Sequence, residues 1–174
     1  MRAVESRYSA EKHMASVNLI FDDEQTTYLR ELSEKMNLDF GEFIPHATLI
    51  NVTEQDIPRL KLAAAALPSI DKLVLDGVNF LPDEAGNCVC VELRVQKTSW
   101  MVEVRRKLLE MLDDIHPGLD IDGFRPHITL GIVEAGTLGD VDMSAIPRQL
   151  PVITKPRAAA CYNGMHGKVV EVVE

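Results

Sequence analysis

Aromatic side chains make up only 5% of the 174 residues, and there are three cysteines. A scarcity of aromatics argues against a stacking platform for single-stranded nucleic acid, and three thiols are too few for a disulfide framework. Cys88 and Cys90 stand two apart in a predicted strand, so both face one side and read as buried, reduced thiols. Long apolar runs are also missing. Stretches such as Leu62 to Leu67 and Val169 to Val173, the latter broken by Glu171, fall far short of the roughly 20 residues a membrane-spanning helix needs. No apolar signal-peptide core opens the chain, so cytoplasmic residence is the expectation.

Excess positive charge is absent as well. Eighteen Lys and Arg against 27 Asp and Glu leave a formal net charge of -9, which opposes broad contact with the backbone of a long duplex nucleic acid. A short nucleotide or oligonucleotide end in a locally positive pocket stays compatible. What is present is an ordinary folding composition, 46% hydrophobic and 26% charged, at a length that buries a core without metal or disulfides.

Residues 1–14 are polar and aperiodic and read as a flexible N-terminal extension without chemistry; residues 15–174 read as a single domain. Val17 to Phe21 is β-prone, and Asp22 and Asp23 offer caps for a helix from about Glu24 to Met36. Phe43 to Val52 reads as a strand entered through Pro45, followed by a helix starting near Thr53 and running to Leu67. Leu73 to Leu81 and Cys88 to Val95 form a predicted antiparallel pair around a Pro82–Asn87 turn. Thr98 or Ser99 caps an amphipathic helix with Trp100, Val104, Leu108 and Leu112 on one face. Arg125 to Val133, Val152 to Tyr162 and Lys168 to Val173 complete the strands. Hairpin-like strand pairs with interspersed helices favour an α+β fold with mostly antiparallel sheets.

Two of these strands share a motif. Pro45-His46-Ala47-Thr48-Leu49-Ile50 and Pro126-His127-Ile128-Thr129-Leu130-Gly131 place Pro, His, Thr and Leu in the same register. Strand alternation puts His46 and Thr48 on one face, and His127 and Thr129 likewise. Two such strands facing each other surround one phosphate with two imidazoles and two hydroxyls. With an ordinary imidazole pKa near 6.5, one ring accepts a proton while the other donates one. The threonine hydroxyls are suited to charge on the non-bridging oxygens. Arg125 either adds positive potential there or serves as a surface salt-bridge partner. A lone His-x-Thr in a half-buried strand is ordinary packing; its repetition with matching flanks carries the functional reading.

The paired His-x-Thr-Leu motifs resemble the signature of the two-histidine (2H) phosphoesterase superfamily, which includes LigT-like RNA ligases and 2',3'-cyclic nucleotide phosphodiesterases. The resemblance covers the chain from Met14 onward. It implies a bilobal, pseudo-two-fold, LigT-like α+β fold, with two antiparallel sheets facing a central cleft and helices outside. It further implies His46 and His127 as the acid-base pair, Thr48 and Thr129 as phosphate-binding residues, and a nucleotide or RNA-end phosphoester as substrate. An aromatic that holds a base is common in the family, and Tyr162 and Phe124 are the candidates. Hydrolase and 2',5' RNA ligase remain open at this point, as does a non-catalytic binder of nucleotide or RNA ends.

No cofactor is expected. Cys88 and Cys90 lack a second pair with zinc-ligand spacing, and a metal-dependent phosphatase would need clustered carboxylates and histidines that do not stand out. His13, His116 and His166 lack a partner motif, and Asp120 and Asp122 read as a solvated turn. No heptad seam argues for anything beyond a monomer.

Overall fold

The computed structural model describes residues 15–83, 85–115, 121, 123–164 and 168–174. The expected N-terminal extension lies outside the described residues, as do His13, His116, Asp120, Asp122 and His166. In chain order the elements are β1 (Ala15–Ile20), α1 (Asp23–Lys35), β2 (His46–Val52), α2 (Ile57–Ala65), β3 (Lys72–Pro82), β4 (Cys88–Val95), α3 (Ser99–Met111), β5 (His127–Glu134), β6 (Val152–Thr154), β7 (Arg157–Asn163) and β8 (Val169–Val173). Two short 3-10 turns, Ala135–Asp140 and Met143–Ala145, fill the turn-rich stretch after β5.

Each helix starts where a side chain satisfies its first amides. Asp22 accepts from the Gln25 amide at 2.8 Å, with Asp23 and Glu24 in the favourable first turn. Thr98 caps α3 through the Met101 amide. The second helix starts later than expected: Asp56 caps it, with Pro58 in the first turn. Thr53 is diverted, its amide and hydroxyl both donating to the Ile115 carbonyl.

The strands form two four-stranded sheets, ordered β2-β1-β7-β8 and β5-β4-β3-β6, and every pairing is antiparallel. The fold is therefore α+β with two lobes, as expected. One expectation is corrected. Val152 to Tyr162 is not one strand but two, β6 in the second sheet and β7 in the first. The break falls at Lys155, whose φ of 47° is left-handed, followed by Pro156, which has no amide hydrogen for a ladder.

β2 and β5 are the edge strands of their sheets and lie against each other. The helices are exchanged across this junction. α1, which connects two strands of the first sheet, packs on β5, while α3, which connects two strands of the second, packs on β2. One continuous core, from Ala15 and Leu19 through Leu49, Leu60, Leu93 and Leu108 to Ile128 and Leu130, runs through both lobes.

Candidate active site

His46 and His127 open the two edge strands, each directly after a proline. Each ring uses Nδ1 in the same way. His46 Nδ1 lies 2.7 Å from the Ile44 carbonyl and His127 Nδ1 lies 2.9 Å from the Arg125 carbonyl, in both cases two residues back and across the proline. A carbonyl oxygen only accepts, so each Nδ1 carries the hydrogen and each neutral ring keeps its lone pair on Nε2.

Both strands carry the same irregularity just past the motif. Val17 faces Ile50 while Asn18 faces Thr48, leaving Leu49 extra; Val91 faces Gly131 while Glu92 faces Thr129, leaving Leu130 extra. These are β-bulges, and they interrupt the alternation. His46 and Thr48 are half-buried and Leu49 and Ile50 both buried, and the second motif repeats that order at 127–131. The bulge turns His and Thr toward the junction without exposing the hydrophobic residues that follow. It also takes a carbonyl out of the ladder. Arg105 of α3, 3% exposed, donates to the Leu49 carbonyl, and Ser33 of α1 donates to the Leu130 carbonyl at 2.8 Å. In each motif the exchanged helix thus supplies the missing donor.

The surroundings of the two rings differ. Beside His127 stands Glu92, 1% exposed, with Oε2 3.5 Å from His127 Nε2. Its other oxygen accepts from Arg125, and Asn79 Nδ2 lies 3.4 Å away. Arg125 is thereby the ion-pair partner of a buried carboxylate, and its carbonyl orients His127. His46 has no carboxylate partner among the described residues. Burial pushes its pKa down to about 4, against the opposing pull of the Ile44 carbonyl, and the charges of His127 and Lys168 push the same way as burial. His46 and His127 open two strands that lie against each other, and the charge of His127 reaches His46, so the two sequence-predicted rings are neighbours.

Thr129 has Cys90 beside it, with Sγ to Oγ1 at 3.9 Å. The thiol donates weakly to the hydroxyl oxygen, which leaves the hydroxyl hydrogen for another acceptor. Burial raises the Cys90 thiol pKa, so it stays protonated. Cys88 and Cys161 are also free thiols. Thr48 faces Asn18 in the register. Asn18 Nδ2 donates to Ser16 Oγ at 2.6 Å, and Ser16 in turn to Asn163 Oδ1 at 2.6 Å, a buried polar ladder under the first motif.

The two aromatic candidates are taken up in packing. Phe124 is 9% exposed and is covered by Lys97 and Arg105, whose cationic groups lie 5.9 and 5.2 Å from its ring centroid. Tyr162 packs on the main core. Glu92 and Lys168 were missed by sequence reasoning. For Glu92 a signal existed, because it shares the inward alternation of β4 with Cys88 and Cys90. Among the described residues no group of three His, Cys, Asp or Glu side chains is arranged to hold a metal ion, and no helix is long and apolar enough to cross a membrane.

No family model matches this sequence, and no curated protein does. Solved structures do. TT0787 of Thermus thermophilus matches with a TM-score of 0.57 and 19% identity, over 92% of this chain and 95% of that one. A structure described as a phosphoesterase matches with a TM-score of 0.51 and 13% identity, over 94% of this chain and 97% of that one. At these identities the likeness is one of fold, and it extends over nearly the whole of each chain.

Proposed function

We propose that this chain is a two-histidine phosphoesterase that hydrolyses a cyclic phosphate or 2',5'-type phosphodiester of a nucleotide or RNA end without a metal ion. The observation that carries the reading is the twin arrangement of the imidazoles. Two edge strands lie together, and each presents a ring whose Nδ1 is engaged by the backbone and whose Nε2 is left for chemistry.

The asymmetry of their surroundings distributes the roles. His46, held neutral by burial down to a pKa of about 4, is the general base. His127, whose Nε2 faces the Glu92 carboxylate at 3.5 Å, is the general acid. On a 2',3'-cyclic phosphate, His46 Nε2 takes a proton from water as the water oxygen bonds to phosphorus. The bond from phosphorus to one ribose oxygen breaks, and that oxygen receives the proton from His127 Nε2. The product is a phosphomonoester with a free neighbouring hydroxyl. Thr48 and Thr129 donate to the non-bridging oxygens, where a well-placed donor is worth about 3 kcal/mol to the transition state.

The test is turnover in EDTA on 2',3'-cyclic mononucleotides and 2',5'-linked oligonucleotides, comparing the wild type with His46→Ala and His127→Ala. Each substitution is expected to lower kcat by about 10²–10⁴-fold, the usual contribution of a general acid or base. Wild-type turnover that both variants match would sink the two-histidine mechanism. Saturable binding of these ligands without conversion would replace the enzyme by a binding module.

A further inference from the structure

We propose that Lys168 is the cation that holds the scissile phosphate between His46 and His127, an assignment that rests on the phosphoesterase reading of the same site. Lys168 immediately precedes β8, and the backbone pins that position to the approach of the first motif. The Ile44 amide donates to the Val169 carbonyl at 2.9 Å, and the Ile44 carbonyl is the one that orients His46. The Gly164 amide closes the other side by donating to the Lys168 carbonyl at 2.8 Å. Lys168 Nζ lies 4.5 Å from the centroid of the Phe43 ring, three residues before His46.

From there its charge reaches both halves of the site. It acts on His46 in the first lobe and on Cys90 in the second, and Cys90 touches Thr129. Lys168 is half-buried, and among the described residues no carboxylate pairs with it. Asp39 acts on it only through its charge. In a chain with net charge -9, a half-buried ammonium without a carboxylate partner is costly, and an anion entering the junction offsets that cost. Burial also lowers its pKa, with the charges of Cys90 and Asp39 opposing. A phosphodiester gains negative charge on its non-bridging oxygens as water adds, so a fixed cation here stabilises the addition more than the ground state.

Lys168→Met keeps the length and apolar stem and removes the charge; Lys168→Gln keeps a polar end; Lys168→Arg keeps the charge. Binding of inorganic phosphate to the full chain is measured by titration calorimetry at pH 7 in low salt, beside kcat and KM on a 2',3'-cyclic mononucleotide. Both neutral variants are expected to weaken phosphate binding by at least about tenfold, the equivalent of one lost charge-assisted hydrogen bond. They should also lower kcat/KM, with Lys168→Arg recovering most of the binding. Wild-type affinity for phosphate in both neutral variants, or a wild type that does not bind phosphate, overturns the assignment. Turnover that needs His46 but not Lys168 leaves the phosphoesterase standing and removes the lysine. Phosphate binding that needs Lys168 in a chain that turns over no phosphoester sustains the anion site and removes the enzyme.

Discussion

Each motif imidazole commits its Nδ1 hydrogen to a carbonyl two residues earlier, so the chemistry of the pair is decided by what surrounds Nε2. His46 has a pKa of about 4 in the fold against an ordinary 6.5, and that gap has a consequence for stability. Between those values the unfolded chain binds the His46 proton and the folded chain does not, so stability falls as pH drops from about 6.5 to about 4. At 1.36 kcal/mol per pH unit the loss amounts to at most about 3 kcal/mol. His46→Gln is expected to lack this component. Urea unfolding at pH 7 and pH 4.5 checks it: the drop in stability should be smaller in the variant, and an equal drop in both proteins would contradict the shift. At this scale the motif residues were legible because repetition in one register is a strong signal. Glu92 carried only a faint signal, its alternation with Cys88 and Cys90, because a glutamate in a strand ordinarily faces solvent. Lys168 carried none, because a lysine at a strand end reads as surface until the hairpin is seen pinned to Ile44.

The bulged edge strands depend on donors from helices far away in sequence. Ser33 serves the Leu130 carbonyl and Arg105 the Leu49 carbonyl. Removing Ser33 leaves a buried carbonyl unpaired in the bulge that aims His127 and Thr129. Ser33→Ala is expected to cost about 1–3 kcal/mol of stability and to lower kcat more than it raises KM. Urea denaturation with steady-state kinetics reads both effects, and unchanged kcat in a destabilised variant would separate the bulge from the chemistry. The strand positions followed from alternation, but the bulges did not, because His-x-Thr-Leu fits a regular strand equally well. The division of β6 from β7 had a readable mark in Pro156 that the apolar run around it obscured. Thr53 resembled a cap because only the fold reveals that Ile115 claims its hydroxyl.

Across the molecule, the exchanged helices and shared core tie the lobes together. The first sheet is built from the beginning and the end of the described chain, β1 and β2 with β7 and β8, around a second sheet drawn mostly from the middle. Gln25 of α1 reaches Thr154 of β6, and Asn37 just after α1 reaches the Asp140 carbonyl, both contacts to the other lobe. Neither lobe closes its core alone, so unfolding is expected in one cooperative step. Trp100 fluorescence and far-UV circular dichroism should share one midpoint in urea; two separated transitions would show independent lobes. The α+β class and antiparallel pairing were legible from hairpin-like strand pairs. The exchange was not, since a helix between two strands ordinarily covers the sheet those strands belong to.

That exchange bears on ancestry. If the two His-x-Thr halves descend from one repeated unit, the single unit had a helix reaching away from its own sheet and a bulged carbonyl awaiting a donor that it could not supply. Such a unit would have been complete only beside a second copy trading helices with it.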